Sequence, residues 1–152
     1  MKKSRESTRK ITCWCLFGLY LTALAYFLFF AESTGRTAAM RSYQYNLIPF
    51  REIRRFICYR EQLGVGAVAL NLAGNVLAFV PFGVFLPILM KKMRLFVKTV
   101  WASFELSLLV EVVQLCCKVG SFDVDDILLN TAGAAIGYLL FAMHYKNSVY
   151  RE

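Results

Sequence analysis

The sequence is nearly without histidine: His144, near the end of the last apolar stretch, is its single one. A lone imidazole is a poor basis for a metal site, and no serine or cysteine stands beside a recognisable base. Five cysteines are present, Cys13, Cys15, Cys58, Cys116 and Cys117, but none has the two-residue spacer of a zinc or thioredoxin motif. Their expected role is that of small buried hydrophobes. There is no internal repeat, no low-complexity tract and no recognisable nucleic-acid module. The net charge of +8 therefore points to anionic lipid headgroups rather than to a nucleic acid. No cofactor is expected.

What the sequence has in abundance is apolar surface. Of its 152 residues 58% are hydrophobic and the mean hydropathy is +0.49, against roughly 45–50% hydrophobic in ordinary soluble domains. A water-soluble fold of this size has too much surface for its volume to hide that much. A bilayer accepts it directly. Ile11 to Ala31 is 21 residues without a charge, about the length that spans a hydrocarbon core and longer than the apolar part of a signal peptide. It is expected to be a retained helix. Leu63 to Met90 is 28 residues without a charge and contains Pro81 and Pro87. A kinked helix is expected here, in the membrane from about residue 68 to 90. Leu95 to Cys117 and Ile127 to Tyr145 complete the set.

These runs predict an all-α fold: one polytopic membrane domain, residues 1–152, with spans at 11–31, 68–90, 95–117 and 127–145. Lys and Arg number eleven on the side that holds both termini and seven on the other, so both ends are expected in the cytoplasm. The six basic residues of the first outer loop, 32–62, depart from that trend, and all are arginine: Arg36, Arg41, Arg51, Arg54, Arg55 and Arg60. Phe50, Ile53, Phe56 and Ile57 fall on one helical face, which predicts a short amphipathic helix on the outer surface after Pro49. Its arginines either anchor to lipid phosphates or recognise a phosphate or carboxylate ligand, for which a guanidinium fork is well shaped.

With that topology the intramembrane polar residues gather at one depth. Asn71 and Asn75 lie four apart near the outer start of the second span. Glu111 and Gln114 lie three apart near the outer end of the third, on a stripe that includes Ser103, Ser107 and Lys118. Asp126 and Asn130 open the fourth, with Asp123 a turn earlier if the helix begins there. Charges in a bilayer are costly unless paired or hydrated. The cluster is therefore either a polar glue that locks the helices or a cleft open to the outer surface. Glu105 is on another face, about 240° around the helix from Glu111, and Lys98 or another helix is its expected partner. Gly133 and Gly137 form a small-xxx-small pair, a signature of close helix packing.

The same positions carry a family resemblance. Asn46-Leu47-Ile48-Pro49-Phe50, the stretch Asn71 to Asn75 continuing through Phe79 to Pro81-Phe82-Gly83, Glu111-Val112-Val113-Gln114, and Asp123-Val124-Asp125-Asp126 continuing to Asn130 and Gly133 stand in the order and spacing of the VanZ-like family. The chain resembles that family of bacterial membrane proteins over residues 46 to about 140. The resemblance implies a multi-pass protein of the bacterial plasma membrane with a role in low-level glycopeptide resistance, to teicoplanin more than vancomycin. It implies no particular reaction.

Three functions follow as expectations. The first is non-enzymatic binding of an amphiphile at the outer leaflet: a lipoglycopeptide or an anionic cell-wall precursor, with membrane lipids as neighbours. Arg51, Arg54 and Arg55 would hold anionic groups, and Asn46, Asn71, Asn75, Glu111, Gln114, Asp123, Asp126 and Asn130 are the candidate polar cleft. The second is a membrane enzyme acting on a lipid-linked phosphate, with Asp123, Asp125, Asp126 and Glu111 around Mg²⁺ or Mn²⁺. Helix starts favour Asp through capping alone, so that signal is weak. The third is a small transporter or flippase, which with four helices needs a homo-oligomer, Gly133 and Gly137 offering an interface.

Overall fold

The computed structural model describes residues 2–31 and 45–149. The chain is almost entirely helical. Helix α1 (Lys2–Tyr26) ends in a π-helical turn, Phe27–Ala31. A two-residue strand β1 (Tyr45–Asn46) precedes the short helices α2 (Arg51–Cys58) and α3 (Arg60–Leu63). Then come α4 (Val65–Leu89), a single 3₁₀ turn (Lys91–Met93), α5 (Phe96–Cys117), strand β2 (Phe122–Asp123) and α6 (Val124–Val149). Arg36 and Arg41, expected in the outer loop, lie outside the described residues.

Four of these helices are long and apolar enough to cross a membrane: Lys10–Phe29, Asn71–Leu89, Phe96–Cys117 and Val124–Tyr145. Helix α4 runs unbroken through Pro81 and Pro87. Helix α6 begins at Val124, so Asp123 is a strand residue rather than part of the last helix's first turn.

On α5 exposure runs opposite to that of a soluble protein. On α5 the buried residues are Thr99, Ser103, Ser107, Glu111 and Gln114, all polar. They recur every three or four residues and so form one stripe. Val97, Trp101 and Leu109 face outward. Lipid solvates apolar side chains as well as a core does, so the bundle turns its hydrogen-bonding groups inward. The cysteines follow the same logic: Cys15, Cys58, Cys116 and Cys117 are exposed and Cys13 is partly so, which corrects the expectation that they are buried.

Helices α4 and α6 share the most extensive interface, and glycine makes it possible. A Cβ on Gly133 would lie 2.0 Å from the Val76 carbonyl oxygen, and one on Gly137 would lie 2.1 Å from that of Val80. From the other side, a Cβ on Gly83 would lie 2.0 Å from the Ala134 oxygen. The glycine pair is thus used inside the chain and is not free to form an oligomer interface. Helix α5 packs beside α6, and α1 lies chiefly on α4. There Phe17, Leu24, Phe79, Phe82 and Leu86 form the apolar core with Ala134. The Tyr20 hydroxyl donates to the Ala78 carbonyl at 2.7 Å and ties α1 to α4.

At the end that holds α3 and the α4 start, β1 and β2 pair in parallel, with Tyr45 opposite Phe122 and Asn46 opposite Asp123. This small contact fixes α2 over the ends of α4 and α6.

A candidate polar site under helix α2

The site begins with a helix that does not cap itself. Phe50 precedes α2 in the left-handed region, φ 64°, and offers no side-chain acceptor to the first turn. The first backbone N–H groups of any helix need an acceptor. Asp125 supplies it from the opening of α6. Its Oδ1 accepts from Phe50 N, and its Oδ2 accepts from Glu52 N at 2.8 Å and Ile53 N at 3.1 Å. A negative charge at a helix start is favourable as well. Asp125 is almost fully buried, 1% exposed, and both of its oxygens are committed to the backbone.

A second contact braces the first. Asn46 Nδ2 donates to Asp123 Oδ1 at 3.0 Å, and Asp125 N donates to the same oxygen at 2.8 Å. Asn46 Oδ1 in turn accepts from Ile48 N at 3.3 Å. Glu111 of α5 reaches the same place, its Oε2 accepting from Asp123 N at 2.8 Å. Burial pushes the Asp123 carboxyl above the ordinary carboxylate range. The hydrogen bonds from Asp125 N and Asn46 oppose the rise, and the charges of Asp125 and Glu52 add to it.

Beneath α2 these elements border a half-open cavity of about 350 Å³. Tyr45, Asn46, Arg51, Glu52, Arg55 and Phe56 line it from the strand and helix side. Asn71, Ser121, Asp123 and Asp126 line it from the bundle side. Arg55 is paired with Glu52 at 3.0 Å and lies over the Phe56 ring. Asp126 accepts a hydrogen bond from Asn75 Nδ2.

The expected cleft residues therefore separate into groups. Asn46, Arg51, Arg55, Asn71, Asp123 and Asp126 border the cavity, and Arg54 does not. Asn75 stands behind Asp126. Glu111, Gln114 and Asn130 are buried below and bonded to protein atoms. Gln114 Nε2 donates to the Leu28 carbonyl in the π turn at 2.8 Å, and Asn130 Nδ2 donates to Ser107 Oγ at 2.8 Å. Asp126 and Asn130 share a face of α6 yet serve different neighbours, the first α4 and the second α5. Glu105 pairs with the Trp101 indole N–H at 2.8 Å rather than with Lys98.

Spacing had indicated neither the capping role of Asp125 nor the lining positions of Tyr45, Glu52, Phe56 and Ser121, because each depends on contacts between distant segments. The proposed cation set does not assemble: among the described residues no three His, Cys, Asp or Glu side chains group as metal ligands. The physical reason is that Asp125 faces α2 and caps it.

Four helices long and apolar enough to span, with a polar cavity at one end of the bundle, define a multi-pass membrane protein. The chain belongs to the VanZ/LLP1 family, whose profile matches residues 17–145. It is similar to Protein VanZ of Enterococcus faecium, at 28% identity over 140 residues, 91% of this chain and 78% of that protein. No solved structure matches it.

Proposed function

We propose that this protein sits in the bacterial plasma membrane with both termini in the cytoplasm. There it contributes to glycopeptide tolerance, to teicoplanin more than vancomycin, by binding an amphiphile at the outer leaflet without chemical conversion. The observation that carries this reading is the cavity under α2, which puts Arg51 and Arg55 over a floor of amides and carboxylates at one end of the bundle. Phe50 and Ile57 are exposed beside it, as suits a helix resting in the headgroup region. The ligand's polar head enters the cavity and its apolar part stays in lipid. The candidate ligands are a lipoglycopeptide and a cell-wall precursor with an acidic head.

The test is teicoplanin and vancomycin susceptibility in a susceptible Gram-positive host at matched membrane expression. Wild type raises teicoplanin tolerance. Arg51→Ala loses the effect, and Arg54→Ala, which does not touch the cavity, keeps it. Equal loss in both variants would point to general lipid anchoring by α2 and would remove the cavity from the account.

A further inference from the structure

Arg51 and Asp123 line one cavity yet make no ion pair with each other. The Arg51 guanidinium has no hydrogen bond or ion pair with any described residue. Asp123 Oδ1 is held by Asn46 and by Asp125 N, and Oδ2 takes no donor among the described residues. These opposite charges stay apart because each belongs to a fixed backbone segment. Arg51 opens α2, which Asp125 pins in place, and Asp123 ends β2, which is paired with β1. The remaining basic group in the lining, Arg55, is already neutralised by Glu52 at 3.0 Å. Asp126 adds a second carboxylate on the Asp123 side, and the Asn71 amide, bonded to no described residue, lines the wall one turn before Asn75.

A purely anionic head placed on Arg51 would face two carboxylates across a small space. A purely cationic head would face the Arg51 guanidinium. A head that carries both charges satisfies both ends. We propose that the cavity binds a zwitterion: a phosphate or carboxylate joined by a short linker to a primary ammonium. The acidic group sits on Arg51 with Asn71 beside it. The ammonium, with its three N–H donors, sits on Asp123 Oδ2 and the Asp126 carboxylate. A cavity of about 350 Å³ is of the size that takes a headgroup of this kind. This inference rests on the reading of the cavity as a ligand site.

The experiment is calorimetric titration of the full chain in an uncharged maltoside detergent. Five probes are used: glycerophosphoethanolamine, alanylalanine, glycerophosphoglycerol, ethanolamine and glycerophosphocholine. Either or both of the first two, the lipid headgroup and the soluble amino-acid zwitterion, bind at least about tenfold tighter than each of the other three, as expected for one added charge-assisted contact. Whichever of the two binds more tightly identifies the source. Arg51→Ala, at an exposed position, abolishes that binding at an unchanged melting temperature. Asp123→Asn, which keeps an acceptor oxygen for Asn46 and Asp125 N, lets glycerophosphoglycerol bind as well as glycerophosphoethanolamine. Equal or tighter binding of glycerophosphoglycerol to wild type, still lost in Arg51→Ala, overturns the zwitterion and leaves an anion site at Arg51. Equal binding of glycerophosphocholine overturns the primary-ammonium part. No binding by any probe overturns both this inference and the reading on which it rests.

Discussion

Asp125 and Asp123 are two residues apart and do different work. Asp125 gives both carboxylate oxygens to three backbone N–H groups of another segment. Its truncation leaves those donors near a buried boundary without a partner. Asp125→Ala is expected to destabilise the protein by about 2 kcal/mol, read as a lower unfolding midpoint in detergent. Faster amide exchange at Phe50, Glu52 and Ile53 locates the loss at α2. Asp123 is a matter of protonation. Its carboxyl is raised by burial, so the folded chain holds this proton more tightly than the unfolded chain does. Its contribution to stability is full at acid pH and is lost as pH rises above the ordinary carboxylate range through the folded value. Melting temperatures of wild type and Asp123→Asn across that range check this. The difference between them changes with pH in the acid window and is constant near neutrality.

At the scale of elements, the α4–α6 contact depends on backbone approaching backbone. Gly133→Ala puts a methyl 2.0 Å from a carbonyl oxygen that cannot rotate away. The two helices must separate, at about 1–3 kcal/mol, seen as a lower midpoint. Gly18→Ala in α1 meets nothing within 4 Å and is the control, neutral or slightly stabilising. Helix α5 shows the complementary device, with hydroxyls and amides turned inward. Ser107 and Asn130 bond each other there, while Ser103 Oγ and Thr131 Oγ1 are buried without a partner among the described residues. The period of the α5 stripe was legible in the sequence, because polar residues in an apolar run stand out at helical spacing. The partners were not legible, because helical spacing says which residues share a face and nothing about which helix that face meets. Glu105 is the clearest case: it bonds Trp101 one turn earlier on its own helix.

For the whole molecule, the arrangement of Lys and Arg predicts an orientation that can be measured directly. Cys58 is exposed at the end of α2, on the cavity side of the bundle. In a variant that retains Cys58 alone, a membrane-impermeant maleimide labels intact cells if the cavity faces outward. Labelling only after permeabilisation reverses the topology and places the cavity in the cytoplasm.

The sequence by itself determined the class of the protein. Length of charge-free run, hydropathy and helical spacing are local quantities, and they suffice to define four spanning helices with an inward polar stripe. The family motifs also include two segments that meet in the fold, Asn46 to Phe50 and Asp123 to Asp126. Tertiary structure alone decided what those motifs do. Asn46 meets Asp123 across 77 positions, and Phe50 meets Asp125 across 75. Such contacts arise only when four helices bring their ends together, because a hydrogen bond needs its partners within about 3 Å and no local spacing encodes that encounter.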